Sequence, residues 1–347
     1  MTNTPEPPAL CPAQAVCPNL TCTARGRIGV HAHKERRSIC HGCTRTFAAT
    51  TGSPLYGLKT AQWVVVCVVT LLAYGCPVPA IVAAFGLDER TVASWLRKAG
   101  GHAKVVQAQV ICTGQVDLGQ VQGDELYVKH QAGVVWMALA MSVFSRLWLW
   151  GAVAPHRATA LITQVVQQVR AAAWLGQPIL WAVDGFTAWT SAILAVFRDP
   201  QPTGKRGRPP LVVWAELRIV QVIKSYTKRR ISAVKRTLAY GNQQAAEALV
   251  AATQVTGGVF NTAFIERLNG TFRTWIPALT RRSRTPARDV AQIEAAMFWT
   301  GTVYNICRVH RSLGGSPAMA ADLTDHVWAI EELLMFKTAS KRVHAVL

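Results

Sequence analysis

The chain has 347 residues, 50% of them hydrophobic, which allows two or three packed domains and excludes a disordered tail protein. It carries 37 Lys and Arg against 18 Asp and Glu, a formal net charge of +19, so a polyanionic partner is expected. The apolar run 61–74 is broken by Gly75, Pro77 and Pro79. At about 14 residues it is shorter than the roughly 20 that a membrane span needs, which leaves nucleic acid as the partner and no membrane. The opening MTNTPEPPALCPAQ has neither a charged n-region nor an apolar h-region. No signal peptide is expected, and the reading is a cytoplasmic, nucleoid-associated protein with reduced cysteines.

In chain order, residues 1–12 are proline-rich and read as a loose N-terminus. Residues 13–53 read as a zinc-ribbon-like module. Cys17 and Cys22 are spaced C-x4-C, Cys40 and Cys43 are spaced C-x2-C, and 17 residues separate the pairs. Two knuckles joined by a loop suit a tetrahedral Zn²⁺ site, with Cys11, His31, His33 and His41 in reserve. The other reading, reduced cysteines in a small core, is disfavoured because so polar a segment cannot fold on apolar burial alone. Its Arg25, Arg27, Lys34, Arg36, Arg37 and Arg45 lie on DNA phosphates or form a solvated face.

Residues 54–112 read as a helix-turn-helix DNA-binding domain. In VPAIVAAFGLDERTVASWLRKAG, residues 78–100, Ile81, Val82 and Phe85 form an inner face and Gly86 supplies the turn. Asp88 caps a second helix that turns Val92, Trp95 and Leu96 inward. Arg90, Thr91 and Ser94 then stand where a recognition helix reads base edges, and Arg97 and Lys98 where it grips phosphate. The same shape serves as an ordinary bundle piece.

Residues 113–323 read as a mixed α/β domain. Three strands are predicted within 113–155, the first spanning Gln115 to Tyr127. A helix from Arg157 to Trp174 follows, then a buried strand ending at Asp184 and a helix over 186–198. The segment 199–212 is a basic Pro- and Gly-rich insertion, and LRIVQVIK is a short strand. Residues 261–275 and 286–312 read as two amphipathic helices, and 324–347 as a C-terminal tail helix. Asp124, Asp184 and Glu266 stand out in a chain that keeps few acids, Asp184 being the only carboxylate between Glu125 and Asp199. A carboxylate ending an apolar strand is costly unless paired or bound to a cation, and converging carboxylates hold Mg²⁺ for phosphoryl transfer. Glu266, Asn269 and Arg273, at i, i+3 and i+7, share one helix face, while Phe264, Leu268 and Phe272 turn toward the sheet.

These motifs resemble bacterial insertion-sequence transposases of the DDE class, in the pattern of the IS1-like group. The matching pieces are CHGCTRTFAATTGSPLYGLK, the helix-turn-helix, DELYVK, VDGF, IERLNGTFR with TRRSRT, and YNICRVHRSLGGSPAMA. The resemblance implies an RNase H-like catalytic domain behind the zinc module and the helix-turn-helix. It implies Asp124, Asp184 and Glu266 as the catalytic triad holding Mg²⁺ (or Mn²⁺), with Arg273 as the basic residue seven positions on. The implied activity is metal-dependent nicking of element ends and strand transfer into double-stranded target DNA, by a homo-oligomer. Glu216 and Glu247 are the alternatives to Glu266. A non-catalytic DNA-binding regulator derived from a transposase is the other functional reading, and a nuclease or resolvase that cuts without joining is a third.

KRGRPP resembles an AT-hook, with Arg206 and Arg208 in an A·T minor groove, or is a basic linker. KSYTKRR and LTRRSR, the latter with Arg281 and Arg282, are expected along the DNA channel. Tyr304, Asn305, His310 and Arg311 are expected on one long helix, with His310 either orienting the scissile phosphate or packing the helix.

Overall fold

The structure, a computed structural model, describes residues 17–19, 22, 27–33, 37–228, 230–252, 257–280 and 288–338. The expectations for residues 1–12, Cys11, Arg25, Lys34, Arg36, Arg281 and Arg282 lie outside the described residues.

The chain is a mixed α/β protein with two main sheets. Strands β1 (Ile28–Ala32), β2 (Arg37–Cys40) and β3 (Thr46–Ala48) form a small antiparallel sheet around the four cysteines. Three helices follow: α1 (Gln62–Ala73), α2 (Val78–Phe85) and α3 (Glu89–Val110). Gly86 ends α2 at φ 62°, a left-handed conformation that glycine adopts without steric cost. Asp88 caps α3, accepting the Arg90 N–H at 2.8 Å. The expected turn and cap are therefore present, but α3 runs ten residues beyond Gly100, to Val110. Gly100 explains part of this. A Cβ there would stand 2.3 Å from the Ala295 carbonyl oxygen, so its absence lets α3 lie directly on a later helix. Helices α1 to α3 share one continuous apolar core with the large sheet.

That sheet contains β4 (Gly119–His130), β5 (Gly133–Ser142), β6 (Trp148–Ala154), β7 (Ile179–Val183), β10 (Leu217–Thr227) and β11 (Arg230–Tyr240). Between them in the chain fall α4 (Thr159–Ala172), α5 (Thr187–Val196) and the short hairpin β8 (Arg198–Pro200) and β9 (Leu211–Val213). The strand order is β11-β10-β7-β4-β5-β6, with β7 parallel to both neighbours and the remaining pairs antiparallel. The first strand starts four residues and ends three residues later than Gln115–Tyr127 predicts, and LRIVQVIK extends to eleven residues. Strand β11 was not expected. Its residues are mostly exposed, so its sequence lacks a buried alternating face. The insertion is the β8–β9 hairpin, and the Arg206 and Arg208 side chains in its loop are exposed.

Helices α4 and α5 cover one face of the sheet, where Trp181 meets Trp189 and Phe197. The other face carries α6 (Gln243–Ala252), α7 (Ala263–Trp275) and α8 (Val290–Thr302). Phe272 and Phe298 from α7 and α8 close on Trp148, at ring distances of 5.8 and 5.6 Å.

The expected helix over 286–312 needs correction. Its α-helical part is α8, which passes into a π-helical turn at Val303–Cys307 and leaves the helix at Arg308. His310 pairs instead with Gly315 in an isolated bridge, so the four tail residues do not share one helix. Asn305 supplies a reason. Its amide accepts the Trp148 N–H at 2.9 Å and donates to the Trp148 carbonyl at 2.8 Å, and the buried Gln107 also donates to that carbonyl. The amide takes the place of a neighbouring strand on β6, and the wider turn brings it there. Short helices α9 (Pro317–Ala320) and α10 (Ile330–Met335) end the described chain. The predicted tail helix reduces to α10, with 339–347 outside the described residues. Among the described residues, no helix is long and apolar enough to cross a membrane.

Candidate metal centres and the acidic cleft

The sulfur atoms of Cys17, Cys22, Cys40 and Cys43 all lie within 4.8 Å of one another. The Cys17–Cys43 and Cys22–Cys40 separations are both 3.6 Å, far beyond the ~2.05 Å of a disulfide. They approach the ~3.8 Å edge of a tetrahedron whose metal–sulfur bonds are about 2.3 Å. The β2–β3 turn directs backbone N–H groups at the second pair. The Arg45 N–H leads in drawing the Cys43 thiol down to about 6, and the Cys43 N–H leads in lowering Cys40. Burial pushes Cys17 up to about 12. Four converging sulfurs, two of them biased toward thiolate, could bind zinc.

The acidic cleft arises from strand register. Gly123 on β4 pairs with Val183, the last residue of β7, in a parallel ladder. The next positions on the two strands are Asp124 and Asp184, side by side where β7 stops. On β7's other side Val183 pairs with Gln221 of β10, which brings Lys224 to the same end of the sheet. Gln122, two residues before Asp124 and on the same face, seats α7 above the strand. Its Oε1 accepts the N–H groups of Phe264 and Ile265 at 3.0 and 2.9 Å, two of the unpaired donors of a helix N-terminus. Thus α7 faces Asp124 with Glu266, Asn269 and Arg273, and all of them line one open cleft of 760 Å³ with Asp184 and Lys224.

Asn269 donates to Asp124 Oδ2 at 2.7 Å, while its own Oδ1 is buried without a partner. Glu266 accepts from the Thr262 hydroxyl at 2.6 Å and from the Lys224 ammonium. Asp184 accepts the Phe186 N–H at 2.9 Å, and Arg157 stands 3.5 Å from its other oxygen. Arg157 also pairs with Glu125, a residue whose importance the sequence did not signal. Glu125 points to the opposite face of β4 and accepts the indole N–H of Trp189 at 2.9 Å. Gly123 makes this possible, because a Cβ there would come 2.7 Å from the Trp189 ring.

Carboxylate oxygens of Asp124, Glu125 and Asp184 lie within 4.8 Å of one another. Glu266 is not in that trio, although it lines the cleft and its charge acts on Asp124. Burial foremost, then the charge of Glu125, with Asp184 and Glu266 adding, pushes the Asp124 carboxyl up to about 7. Burial and Asp184 likewise raise Glu125 against the pull of Trp189 and Arg157. Such a cluster is short of positive charge, and the orphaned Asn269 oxygen is a further hard donor. The residues fit a divalent cation. Of the fallback acids, Glu216 pairs with Arg218 and Glu247 bonds Gln243, and neither lines the cleft.

The other expected contacts are dispersed. Arg90 and Lys98 are exposed on α3, Thr91 and Ser94 are half-buried, and Arg97 donates to Gln292 of α8 at 2.9 Å. His310 lies outside the acidic cleft, in a separate basic cleft behind α7. No protein-family model matches the chain, and no curated protein matches it.

Proposed function

We propose that the protein is a DNA transposase of the DDE class with an RNase H-like core. Its Asp124, Asp184 and Glu266 hold Mg²⁺ or Mn²⁺, and its four-cysteine module holds zinc. The observation that carries this reading is the side-by-side placement of Asp124 and Asp184 at the end of β7, with Glu266 and Asn269 brought over them by α7. A mixed sheet in which β7 runs parallel to both β4 and β10 supports the RNase H-like reading. The net charge of +19 supports a DNA partner.

In this reading Asp124, Asp184 and Glu266 are the metal ligands, and Glu125 tunes Asp124 and Asp184 from the far side of the strand. Divalent cations held by these carboxylates would supply activation of a water or 3′-hydroxyl and stabilisation of the leaving oxygen in phosphodiester attack. Asn269 fixes the Asp124 carboxylate, Arg157 orients Asp184, and Arg273 faces the phosphate backbone. Lys224 pairs with Glu266 and would have to give way if that carboxylate took a cation. The α2–α3 unit, the Arg206–Arg208 loop and residues 281–282 bind flanking duplex, and two copies pair two element ends.

One observation favours a second reading. Arg157 pairs with both Glu125 and Asp184, and Lys224 pairs with Glu266. A regulator that binds DNA and performs no chemistry would keep such pairs permanently. The test is an in vitro reaction of the purified protein, Mg²⁺ and its own element ends. Cleaved and joined products that vanish in Asp184→Asn support the transposase. Cleavage without joining indicates a nuclease, and a DNA complex with no metal-dependent product indicates the regulator.

A further inference from the structure

Behind α7 lies a second cleft, of 280 Å³, whose composition is the reverse of the first. Arg146 from the β5–β6 turn, Arg267 from α7, and Arg308 and Arg311 beyond the π turn converge there with His310. No Asp or Glu lines it, and among the described residues none of the four arginines makes an ion pair. Two guanidiniums rest on aromatic faces instead. Arg146 lies 3.8 Å from the Phe264 ring centre and Arg308 lies 3.9 Å from that of Trp275. Arg308 Nη1 and His310 Nε2 are buried with no hydrogen-bond partner. Arg146 is also held at φ 59°, a conformation that non-glycine residues adopt at a cost.

Four like charges gathered without an acid repel one another, and the buried unpaired Arg308 N–H loses its hydration. Both penalties are relieved by an anion with several acceptor oxygens. A guanidinium fork matches a phosphate in both charge and geometry. The cleft is too narrow for a duplex and has room for a phosphate with its sugar.

The two clefts share one wall. Glu266, Asn269 and Arg273 line the acidic side of α7, while Arg267, Thr271 and Trp275 line the basic side. About one helix diameter, ~10 Å, separates them. We propose that the basic cleft holds a phosphodiester of a single DNA strand that crosses α7 on leaving the acidic cleft. The assignment of DNA rests on the transposase reading; the cleft's demand for a phosphate-like anion does not.

The test is binding of a short fluorescein-labelled single-stranded oligonucleotide to the full chain, without added Mg²⁺, across a salt series. Arg267→Gln with Arg308→Gln is expected to weaken binding about tenfold and to reduce the slope of log K against log salt by about 0.7 for each phosphate no longer neutralised. Because Arg308 also packs on Trp275, the exposed Arg267→Gln alone is the fold-safe variant, with a loss of roughly threefold. Unchanged affinity and slope in both variants would overturn the proposal. So would an acidic peptide, or inorganic phosphate at equal concentration, competing as well as the oligonucleotide. Asp184→Asn separates the two readings: it should keep this binding while losing metal-dependent cleavage. If cleavage persists in Asp184→Asn, the transposase reading fails and the binding result stands by itself.

Discussion

The two metal-suited clusters of this chain are built in opposite ways. The cysteine site comes from one short segment, with both pairs close in sequence and the β2–β3 turn presenting the second pair. The carboxylate site joins Asp124, Glu125 and Asp184 through strand register, with Glu266 lining the same cleft from a helix seated by Gln122. The first is a local object whose ligands imply their own geometry. The second depends on the whole sheet, so small errors in register or helix placement change which acids meet.

The largest expected effect tests the local site. Apparent zinc-binding energies in small modules are about 10–16 kcal/mol and double as folding energy. A strong chelator, or Cys40→Ser, should therefore unfold β1–β3 while the large sheet persists. Hydrogen exchange should show protection lost in β1–β3 and retained in β4 and β7. Equal loss in both regions would mean that the module is not independent.

Asp184→Asn comes next. If the long-range site is catalytic, turnover should fall at least about a thousandfold, ~4 kcal/mol of barrier, measured as strand-transfer rate. Glu125→Gln and Glu266→Gln sharpen this. The proposal requires Glu266→Gln to approach the Asp184→Asn loss, and Glu125→Gln to act mainly through a shifted pH profile. The reverse order would make Glu125 the third ligand.

A smaller effect follows from Asp124. Its carboxyl, ordinarily near 3.8, is held up to about 7, so the metal-free fold retains a proton that the unfolded chain releases. Metal-free stability should fall as pH rises from about 4 to about 7, and Mg²⁺ should reverse that fall. Below pH 7 Mg²⁺ affinity should weaken about tenfold per pH unit, readable by calorimetry, because one proton must leave. A flat profile would remove Asp124 from the site. The smallest effect belongs to Gly123→Ala, whose methyl must displace Trp189 from Glu125. We expect a loss of about 1–3 kcal/mol in thermal unfolding, as for other overpacked sites.

Much of this was legible in residues alone. Asp184 stands out because five apolar residues of one buried strand precede it, and the cysteine spacing points to its own cluster. The Gly86 turn and Asp88 cap were readable for similar local reasons. Glu125 was not, since neighbours on a strand face opposite ways and a sequence pattern credits only one of them. Lys224 and Arg157 reach the site through pairing and packing that no local spacing encodes. Strand β11 lacked a buried face, and the π turn at 303–307 has no periodic signature to set it apart from α8.

The Asn305 amide on Trp148 carries a consequence for assembly. It occupies the main-chain N–H and C=O of Trp148, so a foreign strand cannot pair with β6 at that residue. At the opposite edge, Arg230, Lys235 and Arg236 load β11 with positive charge, which disfavours pairing with a second β11.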